Sequence, residues 1–321
     1  MRISRVRHCL RAFRRLLLAL ILSICAWHDP LLREAKALDL EAQKILVNKG
    51  IIGVLGDGAR GTDFAMIADL AAVLDEGYER RILPMAGTGS VRAIEDLLFM
   101  RGVDIAFVQA DVLDFYQKAD LFPDIEEKVR YLARIYTKEF HLLASKDIGS
   151  IEDLEGKRVN FGPPSSGSFL TASLIFDALD ITVAVSDDDY QIALDKLRQG
   201  EIDAWVRVDA KPSLQLEDLP TGEQVHFLPM PDRGIEAPYV ATALTTDDYP
   251  ELITDGQAIT TLAVPTIMAT YDWPEKHNKR SQLQAFQNSL SASLGQLQQA
   301  PFHAKWREVD LSSDVAGWDR F

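Results

Sequence analysis

Short apolar runs of strand character alternate along this chain with helical stretches, and turns rich in Gly and Ser join them. Ile51–Leu55 (IIGVL) is followed by Phe64–Leu74, which has helical periodicity. Arg81–Met85 reads as a strand. Val91–Met100 reads as a helix with Ile94, Leu97 and Leu98 on one face, and Val103–Val108 as a strand. Parallel strands need a crossover connection, usually a helix, so this order predicts a mostly parallel sheet flanked by helices. The pattern restarts with a strand at Lys157–Phe161, helices at Phe169–Leu179 and Ile192–Arg198, and a strand at Ile202–Val208. Two α/β modules in one chain predict two lobes with a cleft between them. No repeat of fixed period is visible.

Composition narrows the function classes. The chain has 321 residues, 34 Lys+Arg against 48 Asp+Glu, and a net charge of −14. An acidic chain lacks the basic footprint that phosphate backbones require, so no nucleic-acid partner is expected. Residues 1–15 carry six arginines and no acid, and Leu16–Ala26 is apolar except for Ser23. That run is too short to span a bilayer but has the form of a secretory signal, and Ala35-Lys36-Ala37 supplies a cleavage site. Residues 1–37 are therefore expected to be a signal peptide cleaved after Ala37, with an uncleaved anchor as the alternative. Arg14-Arg15 resembles a twin-Arg signal without its usual flanks. Leu22-Ser23-Ile24-Cys25 resembles a lipoprotein box but has Ile24 where a small residue belongs, so a lipid anchor at Cys25 is disfavoured. Cleavage would remove both cysteines, Cys9 and Cys25, and leave 26 basic and 46 acidic residues, a net charge of −20. The exported part would have neither a disulfide framework nor thiol chemistry.

Three turns lie between a strand and a helix: Gly56–Gly61 (GDGARG), Gly87–Ser90 (GTGS) and Gly162–Ser168 (GPPSSGS). Each can aim backbone N–H groups and hydroxyls at a polar or anionic ligand from a helix N-terminus. The first matches G-x-G-x-x-G. The acid that would hold a ribose at the end of the second strand is missing, so no nucleotide cofactor is expected. No Ser sits in G-x-S-x-G, and the histidines at 141, 226, 277 and 303 have no metal-ligand spacing, so neither a catalytic set nor a metal site is expected. Asp187–Asp189 reads as a solvated turn. Leu283, Phe286, Leu290, Leu294 and Leu297 read as the docked face of a C-terminal helix.

Charged and aromatic residues beside the turns complete the candidate set. Arg60, Arg92 and Arg207 present the planar fork that suits a carboxylate. Asp63 and Asp209 are alternatives for holding an amine. Phe64, Tyr136 and Tyr239 are candidates for an apolar wall, whereas Trp205, inside a strand, is expected in the core. His141–Lys146 and Ala263–Thr270 are candidate crossings between the lobes.

Taken in order, the segments resemble a known family. They are GDGARGTDF at 56–64, AGTGSVRAIEDLLFMRGVDIAFVQAD at 86–111, DLEGKRVNFGPPSSGSFLTASLIFDAL at 153–179, LRQGEIDAWV at 197–206, DDYPEL at 247–252 and LAVPTIMAT at 262–270. Together they resemble the TAXI-type solute-binding receptors of TRAP transporters. The resemblance implies an α/β, two-lobed, periplasmic-binding-protein-like fold, each lobe a doubly wound, mostly parallel sheet. One lobe would comprise residues 44–145 plus 263–321, the other 146–262. It implies a monomer that captures a small solute, such as a glutamate-like amino acid or dicarboxylate, and delivers it to the membrane subunits of a permease. The ligand loops it implies are Gly61-Thr62, Gly89-Ser90, Gln109 and Ser165, Ser166, Gly167 and Ser168. This chain departs from the family's pattern at Asp63, where an aromatic residue is usual, and at Ala93, where Asn is usual. It departs again at Val208-Asp209-Ala210-Lys211-Pro212, where a small Gly-rich turn before Pro is usual. Two other functions fit the residues: an exported sensor or adhesin without a permease, and an exported nucleotide-dependent enzyme using Gly56–Gly61.

Overall fold

The computed structural model describes residues 39–216, 219, 224–231, 234–254 and 256–321. The expected signal segment and Cys25 lie outside these residues. The described residues divide into two units, 39–51 and 52 onward. In the first, residues 39–49 form a helix.

The second unit is built on a ten-stranded sheet in the order β2-β1-β3-β10-β4-β7-β5-β6, with β9 paired to β10 and β8 to β4. On one side lie β1 (Ile51–Gly56), β2 (Arg81–Ala86) and β3 (Ile105–Gln109). On the other lie β5 (Arg158–Asn160), β6 (Ala184–Ser186) and β7 (Ala204–Asp209). β1 runs parallel to β3, and β5 runs parallel to both β6 and β7, as the alternating pattern predicts. Helices α1 (Thr62–Leu74), α2 (Ser90–Phe99), α3 (Ala110–Lys118) and the short α4 (Ile125–Lys128) follow the first strands. α5 (Gly167–Ala178) and α6 (Tyr190–Arg198) follow β5 and β6. The predicted elements are thus present, with ends shifted by one or two residues.

The sheet is mixed where a mostly parallel one was expected. Two long strands, β4 (Val129–Ser145) and β10 (Ala258–Tyr271), run antiparallel to each other through the centre and join the two halves. β10 pairs β3 through Ile105–Gln109, and β4 pairs β7 from Glu139 to Ala144. β4 changes partner at Glu139, which faces Ala263 of β10 on one side and Asp209 of β7 on the other. His141–Ser145 lies beyond that point, paired with β7 and with β8 (Val225–Phe227). The other change of partner is at Ala263, where β10 leaves β9 (Val240–Thr245).

Burial explains why the cleft opens on one face of this sheet. On one face a single apolar core runs from Ile94 and Leu113 through Ala106, Phe140 and Val206 to Ile175 and Phe176. On the other face two clusters stand apart. One gathers Ile67, Leu70, Tyr136 and Met268 with Leu283, Phe286 and Leu290 of α7 (Asn278–Leu297). The other gathers Leu194, Leu197, Trp205, Phe227 and Tyr249. The C-terminal helix is docked as its periodicity predicts, and Trp205 is core, its Nε1–H donating to the Tyr190 carbonyl at 3.1 Å. Between the two clusters, polar side chains replace apolar ones.

Candidate functional site

The loops after β1, β2 and β5 meet at the C-terminal ends of these strands, where open α/β sheets hold ligands. Gly87 N–H donates to the carbonyls of Gly56 and Asp57 at 3.0 and 3.2 Å, which ties the second loop to the first. The second loop also touches the third. Ser165 Oγ donates to the Thr88 carbonyl at 3.0 Å, and Arg92 N–H donates to the Ser165 carbonyl at 3.3 Å. Gly89 makes this approach possible. Its φ is +129°, and a Cβ there would lie 2.5 Å from Ser166 Cα.

These loops enclose a cavity of about 500 Å³ lined by Asp57, Gly58, Ala59, Arg60 and Gly61 from the first, Gly87 and Thr88 from the second, and Pro163, Ser165 and Ser166 from the third. Asp189, Tyr190, Arg207 and Gln215 close it. An adjoining hollow of about 410 Å³ shares Arg60, Asp189, Tyr190 and Gln215. The N-caps of α1 and α2 are Gly61 and Gly89, neither of which has a side chain to cap the helix. At α1 this leaves backbone N–H groups for a ligand, whereas at α2 the Arg92 N–H is taken by the Ser165 carbonyl. α5 and α6 are capped internally instead: Ser166 Oγ accepts from Phe169 N–H at 3.1 Å, and Asp189 Oδ1 from Gln191 N–H at 3.1 Å. Asp187–Asp189 is therefore more than a solvated turn, since Asp188 pairs with Lys196 at 2.8 Å and Asp189 lines the cavity.

A buried charge network forms the floor. Lys138, on β4, donates to Asp57 Oδ2 at 2.9 Å and to Asp63 Oδ2 at 2.8 Å. Tyr136 OH donates to Asp63 Oδ1 at 2.5 Å. Burial works against the charge on Lys138, but Asp57 and Asp63 outweigh it and raise its pKa, so the ammonium is retained. Burial likewise pushes Asp57 up, and Lys138 and Arg207 together bring it below the usual carboxylate range. Asp63 is raised by burial, an effect that Lys138 offsets in part and the charge of Asp57 reinforces. The arrangement holds two carboxylates against one cation, with only Asp57 reaching the cavity.

Arg207 is the matching cation on the opposite wall. Its guanidinium lies 3.9 Å from the centroid of the Tyr190 ring, and Nη2 donates to Asp209 at 3.3 Å. Its Nε–H is buried with no hydrogen-bond partner among the described residues, as are Tyr190 OH and Ser90 Oγ. Buried donors without partners are costly, and at a cleft they are the groups a ligand satisfies.

The expected residues fall into three groups. Arg60, Gly61, Ser165, Ser166 and Arg207 line the cavity. Gly89, Ser90, Gly167 and Ser168 shape it from behind: Ser168 Oγ accepts from Val208 N–H at 2.9 Å, and Gly167 leaves room for the Gln109 side chain. Thr62, Phe64, Arg92, Gln109 and Tyr136 do not line it. Arg92 is exposed and pairs with Glu95 and Asp96 of its own helix at 3.0 Å. Gln109 donates to Thr171 Oγ1 at 2.9 Å, and Tyr136 serves Asp63. Tyr239 lies in another cavity, and Asp63 and Asp209 are engaged internally. Lys138 and Asp57 are the residues sequence reading missed. The signal for Lys138 was present: Lys138, Glu139 and His141 are charged or polar residues inside a strand flanked by apolar ones.

Among the described residues, no group of three or more His, Cys, Asp or Glu is placed to hold a metal, and no helix is long and apolar enough to cross a membrane. Residues 56–277 match the NMT1-like family. The chain is also similar to a putative periplasmic sulfonate-binding protein SsuA from Methylobacillus flagellatus KT, at 15% identity over 78% of this chain and 69% of that one, with a TM-score of 0.47. It is similar to YhfZ from Shigella flexneri, at 16% identity over 83% and 99% of the two chains, TM-score 0.46. An ancestral arginine-binding protein bound to arginine matches at 15% identity over 81% and 96%, TM-score 0.45.

Proposed function

The chain belongs to the NMT1-like family, and from that premise and the cleft geometry we propose that it is an exported solute-binding receptor. It captures a small polar solute between its two halves and releases it to a membrane permease. The finer reading is a TAXI-type receptor of a TRAP transporter, taking a glutamate-like amino acid or a dicarboxylate. The observation that carries the proposal is Arg207: a buried guanidinium at a cavity wall, with no partner for its Nε–H among the described residues. A ligand carboxylate supplies the missing acceptor, and the uncapped N-terminus of α1, which starts at the cavity-lining Gly61, adds donors for the same charge. Asp57 and Asp189, on the same cavity, favour a ligand that also carries an ammonium, which places amino acids ahead of dicarboxylates.

Capture follows from where these groups sit. Asp57 and Arg60 belong to the β1–α1 loop, whereas Arg207 and Asp189 belong to elements across the central strands. A ligand touching both sets is bound fully only when the halves are together, so it shifts the population toward the closed arrangement.

Export is part of the proposal, with cleavage after Ala37. Intact-mass analysis of periplasmic material is expected to give a chain starting at Leu38; a chain retaining Met1 in the membrane fraction would replace that reading with an anchored one. The binding reading is tested by calorimetry with L-glutamate, succinate and glucose. Saturable binding of L-glutamate or succinate, lost in Arg207→Gln, is expected. Binding unaffected by that substitution would remove the carboxylate assignment.

A further inference from the structure

We propose that the cavity between α3, α5 and the segment Ile235–Tyr239 is a second ligand site, and that it takes a small organic ammonium ion: a compact apolar body with one positive charge. The cavity measures about 430 Å³ and shares no lining residue with the polar cleft. Phe115, Leu174, Ile235 and Pro238 give it apolar walls. Size and lining are those of small-molecule pockets, which are mostly apolar with a few convergent polar groups.

Those polar groups are mostly acidic. Asp111, Asp114 and Glu236 line the cavity, against Lys118 alone. Asp111 is buried, and its Oδ2 accepts from Thr171 Oγ1 at 2.5 Å and Tyr239 OH at 3.0 Å. Oδ1 has a longer side-chain contact, Gln109 Nε2 at 3.4 Å, and the carboxylate also accepts from the Val112 backbone N–H, so what it offers an occupant of the cavity is its charge. Asp114 Oδ1 accepts from Trp318 Nε1–H at 3.3 Å. Burial raises both acids, Asp111 to about 6. Lys118 offsets part of that cost at Asp114, but no cation acts on Asp111; a carboxylate held so against apolar walls is destabilised, and an ammonium ion relieves that cost. An anion would meet three carboxylates, and a neutral molecule would gain only from apolar burial.

The place of the site gives it a consequence. Asp111 lies on α3, whereas Thr171 lies on α5 and Tyr239 precedes β9, so an occupant bridges elements from both halves. The same knot holds Gln109, whose amide fills the space over Gly167 at the start of α5.

The test is an amide-shift titration of the ¹⁵N-labelled protein with 2-phenylethylamine, 2-phenylethanol and 3-phenylpropionate. The amine is expected to saturate, with shifts centred on Phe115, Leu174 and Tyr239 and an affinity at least about tenfold above that of the alcohol. The propionate is expected to give no shifts there. Ala178→Trp, at an exposed position on the rim, should abolish the amine shifts and leave the rest of the spectrum unchanged. Asp114→Asn should narrow the preference for amine over alcohol. Equal affinity for amine and alcohol, binding that survives Ala178→Trp, shifts confined to Gly58–Gly61, or no saturation by about 10 mM would each overturn the assignment.

Discussion

Lys138 carries more of the candidate site than any residue that touches the cavity. Its ammonium is the common partner of Asp57 and Asp63, and removing it would leave two buried carboxylates facing each other. Lys138→Met is therefore expected to destabilise by about 3–5 kcal/mol in urea melts, the cost of breaking a buried ion pair from one side. A loss below about 1 kcal/mol would mean that water or rearrangement replaces it. Gly89→Ala probes the opposite wall. The added methyl meets Ser166 Cα at 2.5 Å and the backbone is left-handed, so a stability loss of about 1–3 kcal/mol should accompany weaker ligand binding. That Arg60, Gly61, Ser165, Ser166 and Arg207 gather at one cavity was legible in the sequence, because turn residues and a strand end mark the carboxyl edge of the sheet. Lys138 was marked only as a charged residue among apolar ones; its role was not legible, because its partners lie 81 and 75 residues away and only the fold brings them together.

At the scale of elements, the polar ties between helices and strands set the response to pH. Asp111, on α3, is raised from 3.8 to about 6, so the folded state favours its protonated form. Its contribution to stability is greatest below about pH 4 and is lost as pH rises through 6. His141, on β4, is pushed by burial from 6.5 down to about 4, with Nε2 2.6 Å from Tyr249 OH. Its contribution is present above pH 6.5 and is lost as pH falls through 4. The two slopes oppose each other between pH 4 and 6. Asp111→Asn removes one of them, so the stability of the wild type relative to this variant should fall by up to about 3 kcal/mol from pH 4 to pH 7. Urea midpoints across that range measure it; a constant difference would mean that Asp111 titrates as an ordinary surface acid. The alternating elements were readable from apolar periodicity. β4 and β10 were not read as long strands, because buried strands lack the alternation that marks half-buried ones.

At the scale of the whole molecule, one continuous core on one sheet face and two separate cores on the other leave a single polar cleft. A strand-and-helix order could foretell two α/β modules, but not that two antiparallel strands would fuse their sheets. That fusion places Lys138 and Arg207 on strands that share a ladder, with Asp57 and Asp189 on loops above them. The most direct test of the account is thermal denaturation of the purified protein and of Arg207→Gln with L-glutamate, succinate, glucose and NAD. A ligand at 100 times its dissociation constant stabilises by about 2.7 kcal/mol. The account predicts such a shift with L-glutamate or succinate in the wild type and none in the variant. A shift with NAD alone, equal in both proteins, would contradict it and return the Gly56–Gly61 loop to a nucleotide.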